Sequence, residues 1–422
     1  MRETSTVPAE GITSRGPRNE AQPFAPVRAG VGTPPIETGF AGLKGIERVL
    51  GDHVGSDTPD GSGPVLIVVG GLHGNEPAGV LALQRVFAEL AEGTTRLRGR
   101  LVGLCGNRKA LTQGQRYLVD DLNRSWWPER VERLRSIDKA LDAEDEEIRE
   151  LDRELQSVLR EAKGAAYFLD IHSTSGDGGV FSTFDDNLPN RDFAMTLPVP
   201  QVIGLEEELS GTLVGYLNDR GLTAIGFESG QHEDPESVDR AAAAIWIALH
   251  TAGLIQGSAR QVVESRAYLE RSGRGLPRVV EVRYRHAISD TDGFVMRPGY
   301  RNFQSLQPGE VLADDLHGAV IAPHGGLMLM PLYQGQGEDG FFIIRPVNFL
   351  WLRLSSVLRR VRAERFMHWL PGVSRDPESP SGFIVDRQRA RWLALQIFHL
   401  LGFKRRGKVE RYLRMYKRGP QR

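Results

Sequence analysis

The chain has 422 residues, 40% of them apolar and 25% charged, with a formal net charge of −1. This composition suits two or three globular units with a sizeable core, and the charge balance gives no reason to expect a nucleic-acid partner. The single cysteine, Cys105, excludes an intrachain disulfide and any cysteine-based zinc cluster, and it fits a reducing compartment.

Residues 1–40 lack periodicity and carry Pro8, Pro17, Pro23, Pro26, Pro34 and Pro35, which predicts a disordered arm. No apolar core of a signal peptide is present there, and the most apolar helical stretch, 241–255, is too short to span a bilayer. The expectation is therefore a cytoplasmic, soluble protein.

From Gly61 the character changes. Residues 64–69 form a continuous β-branched run, as a buried strand does, and Gly70-Gly71 end it. Residues 76–90 read as a helix with Pro77 in its first turn, and 101–104 as a short strand. The charged stretch 136–162 carries Leu and Ile at helical spacing, which predicts a solvated helix or helical hairpin. Residues 166–171 and 223–227 read as buried strands ending at His172 and Glu228, and 241–254 as a buried helix. Polar residues gathered at strand C-termini describe an open α/β sheet, whose sites lie off those ends. From about Arg260 to Val347 the chain is rich in Gly, Pro and short β-prone runs, which predicts a small all-β domain. Beyond Phe349 it is basic and helix-prone.

The most informative spacing is His73-Gly74-Asn75-Glu76. Two zinc-ligand types three residues apart, at a strand-to-helix turn between glycines, can face one point. Asp170-Ile171-His172 brings a third ligand to another strand end. Two His and one Glu with an open position describe a catalytic zinc site, where the pKa of bound water is lowered to about 7. Glu228 follows an apolar strand, so partial desolvation suits it to general acid–base work.

The set His73-Gly74-Asn75-Glu76, Arg116-Tyr117, Asp121-Leu122-Asn123-Arg124, Asp170-Ile171-His172-Ser173-Thr174 and Glu228 resembles the succinylglutamate desuccinylase/aspartoacylase family, itself related to the zinc carboxypeptidases. The match in order and spacing covers about residues 64–235. The resemblance implies an α/β/α domain around a mixed, zinc-carboxypeptidase-like sheet, one Zn2+ per chain on His73, Glu76 and His172, and hydrolysis of an N-acyl amino acid amide. It also implies Glu228 as general base and acid, Arg116 as the group polarising the scissile carbonyl, and Asn123 with Arg124 as the clamp on a free carboxylate. Asp121 is expected to accept a hydrogen bond from a ligating imidazole, His73 by preference, with Asp170 as an alternative carboxylate.

In aspartoacylase relatives a C-terminal β-domain narrows the catalytic mouth, and here residues 333–342 are placed to reach the site. The family's aspartoacylase branch brings a tyrosine from that domain; none aligns in Glu338-Asp339-Gly340-Phe341-Phe342, so N-acetylaspartate is not carried over. Gly335 to Gly340 match a dinucleotide-binding spacing by count but lead into a strand, which argues against such a site. His286, His317 and His324 read as structural, and Cys105 as inert packing.

The expected organisation is an arm over 1–40, a zinc hydrolase domain over 41–258, a β-domain over 259–348 and a basic helical extension over 349–422. For that extension, an oligomer contact, a basic surface for acidic partners and contact with a membrane are the alternatives to a solvated helical cap. The leading function is a zinc-dependent deacylase acting on a small molecule with a free carboxylate. A zinc carboxypeptidase or amidopeptidase and a zinc-bearing binding protein without catalysis are the rivals. The acyl group, the amino acid and the oligomeric state are not encoded in any motif.

Overall fold

The computed structural model describes residues 43–93, 95–137, 141–377, 382–386, 389–390, 398, 401–406 and 412–417. The expected N-terminal arm lies outside these residues.

The apolar runs become strands β1 (Val49–Val54), β2 (Val65–Gly70), β3 (Arg100–Cys105), β4 (Ala166–Thr174), β5 (Phe181–Thr183), β6 (Gln201–Ile203), β7 (Thr223–Gln231) and β8 (Val279–Ala287). They line up as β1-β3-β2-β4-β7-β5-β6-β8, and three later strands, Asp339–Pro346, Gly326–Leu329 and Ser305–Leu306, continue the same sheet to eleven. The centre is parallel across β3, β2, β4 and β7; β1 and β5 pair antiparallel, so the sheet is mixed.

Helices cover both faces. Along β2, Leu66 and Val68 enter one core with Ala82, Leu83 and Val86 of α1 (Ala78–Ala91), whereas Val65, Ile67 and Val69 enter the other. This alternation follows from the period-2 geometry of a strand, and burial on both sides explains why the run is continuously apolar. Short α2 (Arg108–Gln113) follows β3. The second face is closed by α3 (Pro128–Ser136), α4 (Ala143–Glu161) and, later in the chain, α7 (Leu213–Asp219). In α4, Ile148, Leu151, Leu155 and Val158 form the buried stripe of the charged segment, at the helical spacing read from the sequence. On the first face α5 (Leu188–Ala194), α8 (Glu236–Thr251) and α9 (Arg260–Ser272) pack beside α1; the four-residue α6 (Leu205–Glu208) sits after β6.

Two features differ from the reading above. The segment expected as a small all-β domain begins with helix α9, and its first long strand, β8, pairs parallel with β6, so that Asp339–Pro346 and the strands beyond it extend the main sheet; a three-stranded sheet (Val295–Met296, Val311–Asp315, Gly318–Ile321) stands beside them. Apolar residues Phe341, Phe342, Ile343 and Ile344, all buried, explain why this strand sits inside a sheet and not at an edge. The basic extension starts as the expected helix, α10 (Phe349–Arg360), but continues as a four-stranded antiparallel sheet over Val373–Arg375, Phe383–Asp386, Tyr412–Lys417 and Phe403–Arg406. Its basic residues masked a short strand periodicity whose inward positions, Val385, Leu413 and Met415, fill a core of their own.

Helix α10 is held to the body by buried charge. Asp186 accepts from Arg191 Nε at 2.9 Å and from Arg359 Nη2 at 2.7 Å, and Arg191 Nη1 reaches the Leu352 carbonyl at 3.2 Å. All three charged residues are less than a tenth exposed. Asp186→Ala leaves two buried guanidinium groups facing each other. It is expected to lower unfolding free energy by about 3–5 kcal/mol, read as a shifted urea midpoint, with faster proteolysis after residue 349; an unchanged midpoint would remove this cluster from the account of stability.

Candidate active site

The C-terminal ends of β2, β4 and β7 open into one cleft of about 800 Å³ including its mouth. At the end of β2 the chain turns through Gly71, whose φ of +69° favours glycine, and a Cβ there would collide with Leu111. Gly70 lies against Gly79, so α1 can begin directly behind the turn. His73 and Glu76 are therefore presented from the turn and the residue before Pro77. His172 and Glu228 lie within β4 and β7 and not just past them, and they are direct neighbours in the strand register.

The three expected ligands converge. His73 Nδ1 is 2.8 Å from Glu76 Oε1, His172 Nδ1 is 3.0 Å from Glu76 Oε2, and the candidate donor atoms all lie within 4.8 Å of one another. All three side chains are buried. The opposite ring nitrogens are anchored: His73 Nε2 is 3.1 Å from Asp121 Oδ1, and His172 Nε2 is 3.0 Å from Asp170 Oδ2. Asp121 is placed to accept from His73 Nε2–H, which leaves that ring's Nδ1 as a lone-pair donor toward the shared point; Asp170 stands at ion-pair distance from His172 Nε2, its oxygens without a hydrogen-bond partner. Both carboxylates left open by the sequence have a partner: Asp121 serves His73, and Asp170 serves His172. The donor set, buried and convergent with its outer nitrogens fixed, fits a divalent cation.

The electrostatics fit as well. Burial pushes Glu76 up, but His73 and His172 outweigh it and hold the carboxyl well below its usual range. Burial opposes the ionised form of Asp121 too, and Arg116 and His73 overcome it. Desolvation pulls His172 down, but Asp170 and Glu76 bring it well above an ordinary histidine. Glu76, Asp121 and Asp170 face the two imidazoles and Arg116, a set of buried carboxylates that suits a divalent cation.

Glu228 is the outlier. It is 8% exposed, its Oε2 has no hydrogen-bond partner, and it faces the cleft. Burial pushes its carboxyl up to about 8. Arg116 donates to Asp121 Oδ2 from Nε at 3.0 Å and lies 3.4 Å from Glu76 Oε1 through Nη1, so it is locked beside the triad. Asn123 accepts from the Leu213 amide at 3.0 Å, and its Nδ2 lies 3.4 Å from His172 Nε2. Arg124 donates to the Asn123 carbonyl and to Asp339 Oδ2, both at 3.0 Å. The cleft thus brings all eight expected residues together, although Asp121 stands behind His73 and does not line it.

Three participants were not singled out in the sequence. His232 Nδ1 is 2.8 Å from Ser173 Oγ and its Nε2 2.9 Å from Gln334 Oε1, linking β4, the end of β7 and the later β segment. Asp339 crosses from that segment to Arg124. Glu206, from α6, also lines the cleft. A histidine four residues past Glu228 was a legible signal; the contacts of Asp339 and Glu206 depend on tertiary packing. As expected, the glycine-spaced run enters a strand, Asp339–Pro346, and its residues Gly337 to Asp339 border the cleft. Among the described residues no helix is long and apolar enough to cross a membrane.

Residues 62–241 match the family model of the succinylglutamate desuccinylase/aspartoacylase catalytic domain. The succinylglutamate desuccinylase of Burkholderia pseudomallei (strain 1710b) is 31% identical over 155 residues, which is 36% of this chain and 43% of that protein. That of Photorhabdus laumondii is 44% identical over 59 residues, 14% of this chain and 18% of that protein. The chain therefore spans less than half the length of either curated relative. A solved succinylglutamate desuccinylase/aspartoacylase from Rhodobacter sphaeroides superposes with a TM-score of 0.49 at 19% identity, covering 68% of this chain and 87% of that one. The product-bound ectoine utilization protein EutE (DoeB) from Ruegeria pomeroyi superposes with a TM-score of 0.47 at 21% identity, covering 67% and 86%.

Proposed function

We propose that this chain, which through residues 62–241 belongs to the succinylglutamate desuccinylase/aspartoacylase family, is a zinc-dependent hydrolase of the amide bond of an N-acyl amino acid. The observation that carries the reading is the convergence of His73, Glu76 and His172 within 4.8 Å, beside a buried carboxyl, Glu228, with an unpartnered oxygen. A zinc ion on that triad supplies Lewis acidity and an acidified water.

The chain's own residues do the rest. Glu228 takes a proton from the attacking water and delivers it to the leaving amine nitrogen; its raised carboxyl holds a proton near neutral pH better than an exposed glutamate does. Arg116, fixed by Asp121, places a permanent cation where negative charge grows on the carbonyl oxygen, a contribution of about 3–4 kcal/mol in comparable sites. Asn123 and Arg124 hold the amino acid's carboxylate, Arg124 by exchanging its contact with Asp339 for the substrate. Asp121 and Asp170 keep the imidazoles oriented.

Met330, Leu332 and Gln334, from the later β segment, line the cleft beside the triad and narrow it, which supports a small amide over an extended peptide. The test is a hydrolysis screen of N-acetyl and N-succinyl amino acids and of short peptides, with purified protein before and after chelation. The expected result is turnover of at least one N-acyl amino acid that is lost on chelation and restored by zinc. Hydrolysis that survives complete removal of the metal, or turnover of peptides alone, would overturn the reading.

A further inference from the structure

The lining of the cleft carries a charge pattern that the deacylase reading does not explain. Glu206 sits in α6, where Gly204 with a φ of +88° turns the chain and buried Leu205 anchors it. Its Oε1 accepts from Thr183 Oγ1 at 3.1 Å and its Oε2 from Thr212 Oγ1 at 3.0 Å. Thr212 Oγ1 in turn accepts the Gly215 amide at 3.0 Å as the N-cap of α7, which directs its own proton to Glu206. The carboxylate is thus positioned from three elements, and each oxygen keeps a lone pair. No ion pair reaches it among the described residues.

The guanidinium groups on the cleft wall are those of Arg116 and Arg124, and both already face carboxylates: Arg116 meets Asp121 and Glu76, and Arg124 meets Asp339. Glu338 and Asp339 add to the negative side. The same cleft holds the buried and unpartnered Oε2 of Glu228, which marks it as a ligand site.

We infer that Glu206 forms a subsite for a cationic group, an amine or guanidinium, on the side chain of the substrate's amino acid. The inference rests on the deacylase reading and names its substrate class. A substrate with one carboxylate finds Arg124. A second carboxylate would meet Glu206 with no uncommitted cation nearby, which costs binding, whereas an ammonium meets a prepared acceptor. Leu205, Leu209 and Val214 flank the position and suit the methylenes of a short diamino acid. Burial raises the carboxyl of Glu206 in the free protein, as expected of an acid whose counter-charge arrives with the ligand.

The experiment compares zinc-loaded protein on Nα-acetylornithine, N-acetylnorvaline and N-acetylglutamate, similar in length and cationic, neutral and anionic in turn. The expected kcat/KM order is cation over neutral by about 10-fold or more, and over anion by about 100-fold, the scale of one or two charged contacts. Glu206→Gln is expected to erase most of the advantage of the cation while changing the neutral substrate by less than about 3-fold, and Glu206→Asp to restore part of it. Wild-type preference for N-acetylglutamate, or an equal loss on all three substrates in Glu206→Gln, would overturn the subsite. If no N-acyl amino acid is turned over, calorimetry with free L-ornithine against L-glutamate still decides: tighter ornithine binding lost in Glu206→Gln supports the subsite although the deacylase reading has failed, and equal or weaker ornithine binding overturns it.

Discussion

Replacing Glu228 by Gln is expected to lower kcat by about 10²- to 10⁴-fold, the usual worth of a positioned general acid–base, while zinc content stays at that of the wild type. The substitution keeps size and hydrogen-bonding shape but removes the ability to carry a proton from the water to the leaving amine. Glu228 is none of the three converging donors, so metal affinity is expected to survive. A second consequence concerns the metal-free protein. Its Glu228 carboxyl sits at about 8 because burial disfavours the charge, against about 4.3 for an unfolded glutamate. A folded value above the unfolded one means that the folded state holds the proton more tightly. The stability contributed by that proton is full below about pH 4.3 and is lost progressively as pH rises through about 8. Chelated wild-type protein should therefore lose thermal stability over this window more steeply than chelated Glu228→Gln. Metal analysis, steady-state kinetics and melting curves at pH 5 and 8.5 check the three statements. Full activity in the variant would remove Glu228 from the mechanism, and parallel melting curves would remove the buried ionisation.

The difference between what the residues announced and what they concealed has a physical cause. His73, Glu76, His172 and Glu228 are legible because each stands where a continuous apolar run breaks, and a charged or imidazole side chain at such a break needs a reason. The layers are legible for the same cause: a strand buried on both faces has to be apolar throughout, and α4 has to carry a stripe. The extents of β4 and β7 were underestimated, since His172 and Glu228 continue the ladder while turning their polar ends into the cleft; a polar residue does not end a strand when a partner strand supplies its hydrogen bonds. The joining of β8 to β6 was not legible, because strand pairing over more than seventy residues is set by which edge is free and not by local pattern. Asp339 and Glu206 belong to that second class. Their spacing to the triad in sequence carries no period, and only the packing of the later strands and of α6 brings them to its wall.

Removing one ligand should separate the metal from everything else in the site. His172→Ala is expected to leave less than stoichiometric zinc after exchange into metal-free buffer and to cost about 10³-fold or more in turnover, since the ion that His73, Glu76 and His172 would hold would supply the acidity of the attacking water. It also leaves Asp170, fully buried, without the imidazole that sits 3.0 Å from its Oδ2, so the fold itself loses a charge partner. A loss of activity alone would therefore be ambiguous. The discriminating quantity is the increment in stability on adding zinc. In the wild type, binding to the folded state alone adds about 4 kcal/mol when free metal is a thousand times the dissociation constant. In His172→Ala that increment should nearly vanish at the same free zinc, whereas Glu228→Gln should keep it. This pairing distinguishes loss of the metal from loss of proton transfer with one set of melting curves. A zinc-induced shift in His172→Ala equal to that of the wild type would mean that the ion binds elsewhere, and that the convergence of the triad is a hydrogen-bonded core without a metal.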